Sequence, residues 1–372
     1  MTGTSLDGLD VVLVEIAGKG LAMSARYLGM VSRPLGGLRD VLLGLASGAA
    51  APPNQTMRAA RELGRLHADA VDQLCQQHLP DDAKLAFVVA HGQTVAHLPD
   101  EHLSWQLFDP QPLVRHLHVP VCYDLRQSDL IAGGQGAPIT PLADWLVYGQ
   151  TVPDTLIVNL GGICNMTLLP RGGPGGIWAK DVAPCNIVID GVVKRLFPEY
   201  AYDRDGKIAD RGNANAFAYD YLLRRHGRPN LSSSRSLGRE DFDDRWIADL
   251  IDASPSGLTP ADIVASIVNA VGTYLANIIS HLAPQRTVLA GGGARHPHLV
   301  DSVSQTLPKR FPHADSAPRR IVLSDVLGIP CEAREAMDFA VLGALSQDGE
   351  PVTLPQVTGA SAPGRAGTWV YP

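Results

Sequence analysis

The sequence predicts an α/β fold divided into two lobes. The first observation is that short apolar runs, typical of strands, alternate with longer stretches that have helical periodicity. The second is the length, because 372 residues are enough for two domains of ordinary size. The third is composition. Hydrophobic residues make up 45% of the chain, which supplies sizeable cores and excludes a disordered protein.

The elements follow one another in a regular order. Strands are predicted at 11–17, 85–90, 119–124, 155–161, 287–293 and 320–324. Helices are predicted at roughly 56–78, 137–149, 212–226, 262–282 and 333–346. The glycine-rich segment 131–138 is a suitable boundary between lobes. This gives an N-terminal lobe of residues 1–130 and a C-terminal lobe of residues 131–372, whose tail we expect to pack back on the N-terminal lobe.

One predicted helix could by its composition be a membrane span, since residues 263–283 contain no Asp, Glu, Lys or Arg. Polar residues recur on it every three or four positions, namely Ser266, Asn269, Thr273, Asn277 and Ser280. A polar stripe is costly against lipid and natural inside a soluble protein. Thr259, Pro260 and Asp262 also form an N-terminal capping signal. We therefore predict a buried helix.

Charge and cysteine content argue against several classes of protein. The chain has 31 basic and 38 acidic residues, with no local Lys/Arg cluster, so we expect no nucleic-acid partner. Five cysteines without metal-like or disulfide-like spacing, and no basic-then-apolar leader, favour a cytoplasmic protein without a membrane partner. The histidines of the runs 116–118 and 296–298 are expected at the surface.

Three glycine turns lie next to strands and are candidate ATP-binding segments. Glycine tolerates positive φ and lets backbone N–H groups approach a phosphate. The candidate residues are Gly3, Thr4, Ser5, Leu6, Asp7, Gly8, Leu9 and Asp10, then Gly161 and Gly162, then Gly291, Gly292 and Gly293. Taken singly, each turn is more often an ordinary tight loop than a ligand-binding segment. Two hairpin turns followed by a strand–GGG turn are the arrangement of the actin, hexokinase and heat-shock ATPase superfamily.

The two hairpin turns also indicate an internal duplication. Residues 155–169 have the pattern strand, glycine turn, strand, whereas residues 2–16 have only the turn and the second strand. Either the module differs there or the coding sequence starts upstream. We favour the second explanation, because a hairpin that lacks one strand leaves its partner with an unpaired edge.

Ordered motifs along nearly the whole chain resemble the anhydro-N-acetylmuramic acid kinase family. They include GTSLDGLD (3–10), AHGQT (90–94), VNLGGICN (158–165), DVAPCNIVID (181–190), YDRDG (202–206), LAGGGA (289–294) and EAMDFA (335–340). The resemblance implies a two-lobed actin-like ATPase fold, a duplicated ribonuclease-H-like fold with a nucleotide cleft between the lobes. It also implies a homodimer. The implied reaction turns 1,6-anhydro-N-acetylmuramic acid, ATP and water into N-acetylmuramic acid 6-phosphate and ADP during cell-wall recycling.

The resemblance also assigns roles to residues. Asp181 stands at the family's base position, although an Asp there could instead cap the next helix. Glu335 matches the position that holds the sugar, although it could be a solvated glutamate at a helix start. Asp7 and Asp10 could position Mg²⁺, and Asp10 could equally be a strand-edge residue.

Further polar residues lie where strands end. His91 and Gln93 follow a buried run, and ligands collect at such strand ends in α/β sheets. His91 could equally be a histidine that is hydrogen-bonded within the lobe interface. Arg126 is a candidate sugar contact, but with Asp129 it could form a lobe-closure contact or an ordinary surface pair.

The chain departs from the family after the proposed base. Val182 replaces a Thr or Cys, and Ala183 and Cys185 replace glycines. If those glycines need positive φ, each replacement would strain the turn by about 1 kcal/mol. The departures keep two alternatives open, a kinase for another amino sugar on the same fold and a catalytically impaired ATP-binding relative.

Overall fold

A computed structural model of the protein describes residues 1–2, 8–227, 231, 237, 239–310 and 320–372. The strands are β1 (Leu9–Ala17), β2 (Ser24–Arg33), β3 (Val88–Ala90), β4 (Gln93–Leu98), β5 (Leu103–Leu107), β6 (Val121–Tyr123), β7 (Thr155–Leu160), β8 (Ile163–Leu169), β9 (Trp178–Pro184), β10 (Arg286–Ala290), β11 (Arg320–Leu323) and β12 (Thr368–Val370). The helices are α1 (Leu38–Ala46), α2 (Pro53–His78), α3 (Gln111–Leu117), α4 (Gln127–Ile131), α5 (Pro141–Asp144), α6 (Asn186–Leu196), α7 (Phe217–His226), α8 (Asp244–Asp252), α9 (Pro260–Leu282), α10 (Pro297–Arg310), α11 (Arg334–Gln347) and α12 (Pro355–Thr358).

The chain forms two compact units. Unit 1 contains Met1–Gln150, Gly173–Ile177 and Ala333–Pro372, and unit 2 contains Thr151–Gly172 and Trp178–Glu332. This division differs from the predicted lobes, because 131–150 and 333–372 group with the N-terminal part. The reason is pairing and packing within unit 1: β12 pairs with β6, and α11 packs on β1 and β3.

Unit 2 is built on one mixed sheet in the order β11-β10-β7-β8-β9. Strands β7, β8 and β9 form an antiparallel meander, while β10 runs parallel to β7 and β11 parallel to β10. Counted within the unit, this is the order 5-4-1-2-3 of a ribonuclease-H-like domain. All five residues of β10 are buried, as expected for a central parallel strand. The predicted α/β class is confirmed here.

Unit 1 repeats most of this plan. Antiparallel β1 and β2 correspond to β8 and β9, and parallel β3 and β6 correspond to β10 and β11. In the described residues of unit 1, no ladder joins these two pairs. At the place of the central strand, Thr2 forms an isolated bridge with Leu9, and its Oγ1 donates to the carbonyl of Gly92 at 2.9 Å.

Helix α9 is the main core helix of unit 2 and begins as predicted. The Thr259 side chain accepts from the Asp262 N–H, and the Asp262 side chain accepts from the Thr259 N–H, which is a complete capping box. By length and composition α9 could cross a membrane, but 78% of its most apolar window is buried inside the protein. Its polar residues bond to neighbours, such as Ser266 to the Asn215 N–H and Asn277 to the Tyr219 hydroxyl.

The prediction that the histidines of 296–298 lie at the surface is wrong for His296. This side chain is 8% exposed, and its Nε2 lies 3.2 Å from Oδ2 of Asp203. Asp203 also accepts from the backbone N–H groups of Ile208 and Ala209. The buried carboxylate therefore needs several donors, and the histidine is one of them.

His67 on α2 is a second buried histidine. Its ring packs edge-on against Phe108 with centroids 5.0 Å apart, and its Nδ1 lies 2.7 Å from the Leu63 carbonyl. Burial lowers the pKa of His67 from 6.5 to about 3. The folded protein therefore keeps this side chain neutral at pH values where the unfolded chain protonates it.

This difference predicts a pH-dependent stability. Below pH 6.5 the unfolded state binds a proton at His67 that the folded state does not, so acidification destabilises the fold by about 1.4 kcal/mol per pH unit. His67→Leu should remove this contribution. Urea unfolding of both proteins should show equal pH slopes above pH 7.5 and a shallower slope for the variant between pH 6 and 4. Equal slopes over the acidic range would contradict the prediction.

Candidate active site

The turn between β7 and β8 carries Gly161 and Gly162, and the start of α6 holds it in place. The carbonyl of Gly161 accepts from the Asn186 N–H at 3.1 Å. The carbonyl of Gly162 accepts from the N–H groups of Cys185 and Ile187, both at 3.0 Å. Nδ2 of Asn186 also donates to the Leu160 carbonyl at 3.0 Å. The turn is thus fixed through its carbonyl groups.

The GGG turn after β10 packs directly on this hairpin turn. Gly291 has φ +83°, and a Cβ atom there would lie 2.5 Å from Oδ1 of Asn159 and 3.0 Å from the Leu160 backbone. A Cβ atom on Gly293 would lie 2.8 Å from Oδ1 of Asn186 and 2.9 Å from the Leu160 carbonyl. Both positions therefore require glycine for packing, and Gly291 also requires it for its backbone conformation.

Gly162 and Gly292 are glycines for a different reason. Neither has a positive φ, and apart from the adjoining stretch of chain no heavy atom of the described residues lies within 4 Å of an added Cβ at either position. Folding alone therefore does not demand glycine here. Both glycines leave open space beside a turn, which is what a phosphate group needs in order to approach backbone N–H groups.

Asp181 lies within β9, opposite Asn165 of β8 and beside a bulge in that ladder. It is half-buried. The alternative that it caps the next helix is wrong, because α6 has Cys185 as its N-cap residue and that cap has no side-chain hydrogen bond. The strand therefore presents this carboxylate close to the β7–β8 hairpin in the same sheet.

The expected strain at Ala183 and Cys185 is also wrong. Cys185 has φ −135°, and Ala183 is a strand residue of β9 without positive φ. Val182 is 7% exposed and belongs to the apolar core of unit 2. Neither replacement therefore lies at a positive φ, which is the conformation that the expected strain assumed.

In unit 1, His91 and Arg126 bind each other. Nε and Nη2 of Arg126 both lie 3.0 Å from Nε2 of His91, and Nη1 donates to the Gly136 carbonyl at 2.7 Å. Since Nε2 accepts from arginine, Nδ1 carries the ring proton and donates to the Gly92 carbonyl at 2.9 Å. Burial, together with the Arg126 charge, lowers the pKa of His91 well below its usual value. His91 is therefore a neutral acceptor.

Asp129 does not form a surface pair with Arg126. Asp129 is fully buried and accepts from the Gly136 N–H at 2.8 Å and from the Thr358 hydroxyl at 2.7 Å. It fixes the glycine-rich segment whose Gly136 carbonyl accepts from Arg126. Asp129 thus has a structural role that positions Arg126.

Glu335 lies in the first turn of α11 and is half-buried rather than fully solvated. Loss of water contact raises the pKa of Glu335 above its usual value, while the charges of Arg334, Arg126 and the Met1 ammonium oppose that rise. Arg126 therefore acts on both His91 and Glu335, and the three side chains form one electrostatic group.

Gln93 completes the predicted set in unit 1. It is 2% exposed, and its Nε2 donates to the Thr94 carbonyl at 3.3 Å. Within the part of the chain that the structure describes, its Oε1 has no hydrogen-bond partner. A buried acceptor without a donor is costly, so a ligand N–H or O–H group would stabilise it.

The N-terminal glycine turn is only partly described. Gly3, Thr4, Ser5, Leu6 and Asp7 lie outside the described residues. A Cβ atom on Gly8 would lie 3.2 Å from the Arg33 carbonyl, and the Leu9 side chain is fully buried in the core. Oδ1 of Asp10 accepts from the Ser32 hydroxyl across the β1–β2 pair, as a strand residue would.

Sequence reasoning missed the buried ions beside Glu335. Arg334 is 2% exposed and bonds both oxygens of Asp144, and its Nε lies 3.5 Å from Oδ2 of Asp338. The local sequence shows only an adjacent charged pair, Arg334 and Glu335, at the start of a predicted helix. Its partner Asp144 lies 190 residues away in the chain, and no local pattern indicates it.

The described residues also form a cavity of about 810 Å³ along α1 and α2. Its lining includes Leu38, Val41, Met57 and Arg61. None of the predicted site residues that the structure describes lines it. The candidate residues therefore form two sets, the glycine turns with Asp181 in unit 2 and the polar groups around Arg126 in unit 1.

Comparisons with known proteins identify a family. The family model for anhydro-N-acetylmuramic acid kinase matches residues 1–372. The anhydro-N-acetylmuramic acid kinase of Bordetella avium is 34% identical, with 100% of this chain and 95% of that protein covered. Those of Salinibacter ruber and Gloeobacter violaceus are 33% and 35% identical, each with 97% of this chain covered and with 92% and 94% of the relative covered.

Solved structures give more distant similarities. A ROK family glucokinase from Streptomyces griseus in complex with glucose and AMPPNP is 12% identical, with a TM-score of 0.37 and with 90% of this chain and 99% of that chain covered. The activator of 2-hydroxyisocaproyl-CoA dehydratase from Clostridium difficile with bound ADPNP is 14% identical, with a TM-score of 0.41 and coverage of 92% and 96%.

The assignment therefore rests on the sequence matches. A family model that spans all 372 residues and curated relatives of nearly the same length establish that this chain belongs to the anhydro-N-acetylmuramic acid kinase family.

Proposed function

We propose that this protein is an ATP-dependent kinase in cell-wall recycling. It converts 1,6-anhydro-N-acetylmuramic acid and water into N-acetylmuramic acid 6-phosphate, with ADP as the second product. The observation that carries the proposal is the family match over residues 1–372, in a chain that retains Asp181 and Glu335. The proposed setting is the cytoplasm, with a homodimer as the assembly and without nucleic-acid or membrane partners.

The ATP phosphates are proposed to bind at the glycine turns. Gly162 and Gly292 supply open space beside backbone N–H groups, while Gly161, Gly291 and Gly293 hold those turns in place. The corresponding N-terminal turn, Gly3–Asp10, would contribute in the same way. Binding to backbone N–H groups suits phosphate because the donors are fixed before the ligand arrives.

Mg²⁺ would accompany ATP and neutralise charge on its phosphates. Among the described residues no three His, Cys, Asp or Glu side chains form a metal site. Mg²⁺ keeps several waters and uses one or two carboxylates together with phosphate oxygens. Asp7 is the proposed carboxylate, since Asp10 already accepts from Ser32.

The sugar is proposed to bind to His91, Gln93, Arg126 and Glu335. Oε1 of Gln93 would accept from a sugar hydroxyl or amide N–H. Glu335 would accept from sugar hydroxyls, and Arg126 would hold neutral His91 in position. Hydroxyl-rich ligands are bound by such planar acceptors and donors, which fix orientation as well as affinity.

The proposed chemistry couples hydrolysis to phosphoryl transfer. Asp181 accepts a proton from water as the water oxygen bonds to C1 of the sugar, and the bond from C1 to O6 breaks. O6 then bonds to the γ-phosphorus of ATP as the bond from that phosphorus to the ADP oxygen breaks. The proton on Asp181 passes to solvent, so one water and one phosphoryl group enter the product.

Two neighbouring glycines test the phosphate site. Gly292→Ala adds a methyl group into open space, so it should leave stability within about 0.5 kcal/mol and weaken ADP binding at least about tenfold. Gly291→Ala should instead destabilise the protein by about 2–4 kcal/mol, because the residue has positive φ and a close contact with Asn159. Calorimetric ADP titration and urea unfolding measure both effects. An unchanged ADP affinity in Gly292→Ala would contradict the proposal that the phosphates bind at this turn.

Asp181→Asn tests the base. It should lower turnover by about 10²- to 10⁴-fold, because the amide cannot accept the water proton. The affinity for ADP should stay unchanged. Asp301→Asn, at an exposed position of α10, is the matched control and should retain full turnover. In ¹⁸O-labelled water the wild-type product should carry one ¹⁸O at C1. A product without the label would indicate a kinase that phosphorylates an existing hydroxyl group.

Glu335→Gln tests the sugar site separately. It should raise KM for the anhydro sugar about tenfold or more, because the amide replaces one acceptor with a donor, while ADP affinity is retained. Glu101→Gln, at an exposed position, is the control and should leave KM unchanged. Initial rates of ADP release at varied sugar concentration provide the measurement. An unchanged KM for Glu335→Gln would remove Glu335 from the proposed sugar site.

A further inference from the structure

The β4–β5 hairpin of unit 1 exposes an apolar face. In its antiparallel ladder Ala96 lies opposite Trp105, and Leu98 lies opposite Leu103. Because opposite residues share a face of a sheet, as do residues two positions apart, these four side chains lie on one side of the hairpin. Trp105 and Leu103 are each 52% exposed, and Leu98 is 46% exposed. A contiguous apolar face of this kind is typical of a binding surface.

The opposite face of the hairpin is polar. Nε2 of Gln106 donates to Oγ of Ser104 at 2.7 Å, and the same hydroxyl oxygen lies 3.0 Å from Nδ1 of His97. An antiparallel pair usually turns its apolar side chains to the core and its polar ones to water. In this hairpin Gln106 is buried while Trp105 is open to solvent. Packing against the rest of the protein therefore does not explain why the chain has a tryptophan at position 105.

Both ends of the hairpin are fixed. At its base, Leu107 is buried in a core that it shares with residues of α1 and α2. At its turn, the carbonyl of His102 accepts from Nε2 of Gln127 at 2.9 Å, and α4 packs on β5. Among the residues that the structure describes, the indole ring of Trp105 has no aromatic, cation–π or hydrogen-bonding partner. Trp105 is therefore an unoccupied aromatic surface on a fixed strand.

The apolar face is continuous with the proposed sugar site. Gln93 lies opposite Leu107, and Leu107 is two positions from Trp105 on the same strand. Gln93 and Trp105 are thus diagonal neighbours on one face of the hairpin, with a separation of about 7–8 Å. Oε1 of Gln93 is the buried acceptor that has no partner among the described residues. A sugar that donates to this oxygen can therefore also reach the indole ring.

We propose that Trp105 stacks against the ring of the sugar substrate. The inference rests on the proposed function and adds a residue to its sugar site. A pyranose ring carries its polar groups at the rim and C–H groups on its faces, and an aromatic ring offers these C–H groups a flat, partly negative face. Stacking also removes apolar surface of both partners from water. Trp105 thus holds the plane of the sugar ring, while Gln93 and Glu335 accept from groups at its rim.

The test compares full-length wild type with Trp105→Phe, Trp105→Ala and a control, Tyr200→Ala, which removes an exposed aromatic ring from unit 2. ADP release at saturating ATP gives kcat and the KM for 1,6-anhydro-N-acetylmuramic acid. Acrylamide quenching of tryptophan fluorescence, with and without this sugar, measures whether the sugar covers Trp105. The chain has five tryptophans, so Trp105→Phe supplies the background of the others. Urea unfolding verifies the fold of each variant, and sedimentation velocity records its oligomeric state.

We expect KM to rise about tenfold in Trp105→Ala and less than about threefold in Trp105→Phe, which keeps a flat ring, while kcat and the control stay unchanged. The sugar should protect wild type from acrylamide more than it protects Trp105→Phe.

Two results would overturn the inference. One is an unchanged KM in Trp105→Ala, and the other is equal protection of wild type and Trp105→Phe. Dissociation of a dimer in Trp105→Ala with an unchanged KM would assign the apolar face to a second copy of the chain instead. Protection of Trp105 by the sugar without any ADP release would contradict the proposed function and leave the stacking contact intact.

Discussion

The arrangement of unit 2 depends on how closely the end of β10 approaches the turn between β7 and β8. Leu160 is in contact range of added Cβ atoms at both Gly291 and Gly293, so no side chain fits between the two turns. The same hairpin turn accepts hydrogen bonds from the first residues of α6. One turn therefore fixes two strands and a helix, and this rigidity holds the open glycines in position before any ligand arrives.

Unit 1 depends instead on a buried ion group. Arg334 bonds Asp144 of α5 and lies near Asp338, one turn further along α11, and all three side chains are nearly inaccessible to water. Burial, and then the charge of Asp144, raise the pKa of Asp338 well above its usual value, although Arg334 opposes the shift. Removing one partner from such a group leaves an uncompensated buried charge, which costs several kcal/mol. The group fixes the first turn of α11 and therefore the backbone position of Glu335.

Local signals predicted those parts of the fold that local chemistry determines. The capping residues Thr259 and Asp262 predicted the start of α9, and the glycine pair at 161–162 predicted the β7–β8 hairpin. The β4–β5 hairpin and strand β2 were missed, because their pairing depends on partners and burial rather than on a distinctive turn. The predicted helix 137–149 is replaced by α5 and a π-helical turn at Trp145–Gly149.

The candidate site divides in the same way. The glycine turns and Asp181 on its strand could be predicted from the sequence, because residue type and spacing indicate them. The bond between His91 and Arg126 joins residues 35 positions apart, and the bond between Arg334 and Asp144 joins residues 190 positions apart. No local pattern encodes such pairs. The conformational role expected for glycines at 183 and 185 was wrong, since a strand and a helix start accept Ala183 and Cys185 without positive φ.

The pairing of β12 with β6 has a consequence for biosynthesis. Unit 1 contains both the first 150 residues and the segment 333–372, whereas unit 2 is continuous apart from five residues. A ribosome that adds about 5–20 residues per second needs about 10–45 s to pass from unit 1 to the end of the chain. Throughout that interval the edge of β6 lacks its partner strand, whereas unit 2 has all of its strands once residue 323 has been added. Unit 1, although it contains the first residues, is thus the last to complete its sheet, and the edge of β6 stays unpaired until then.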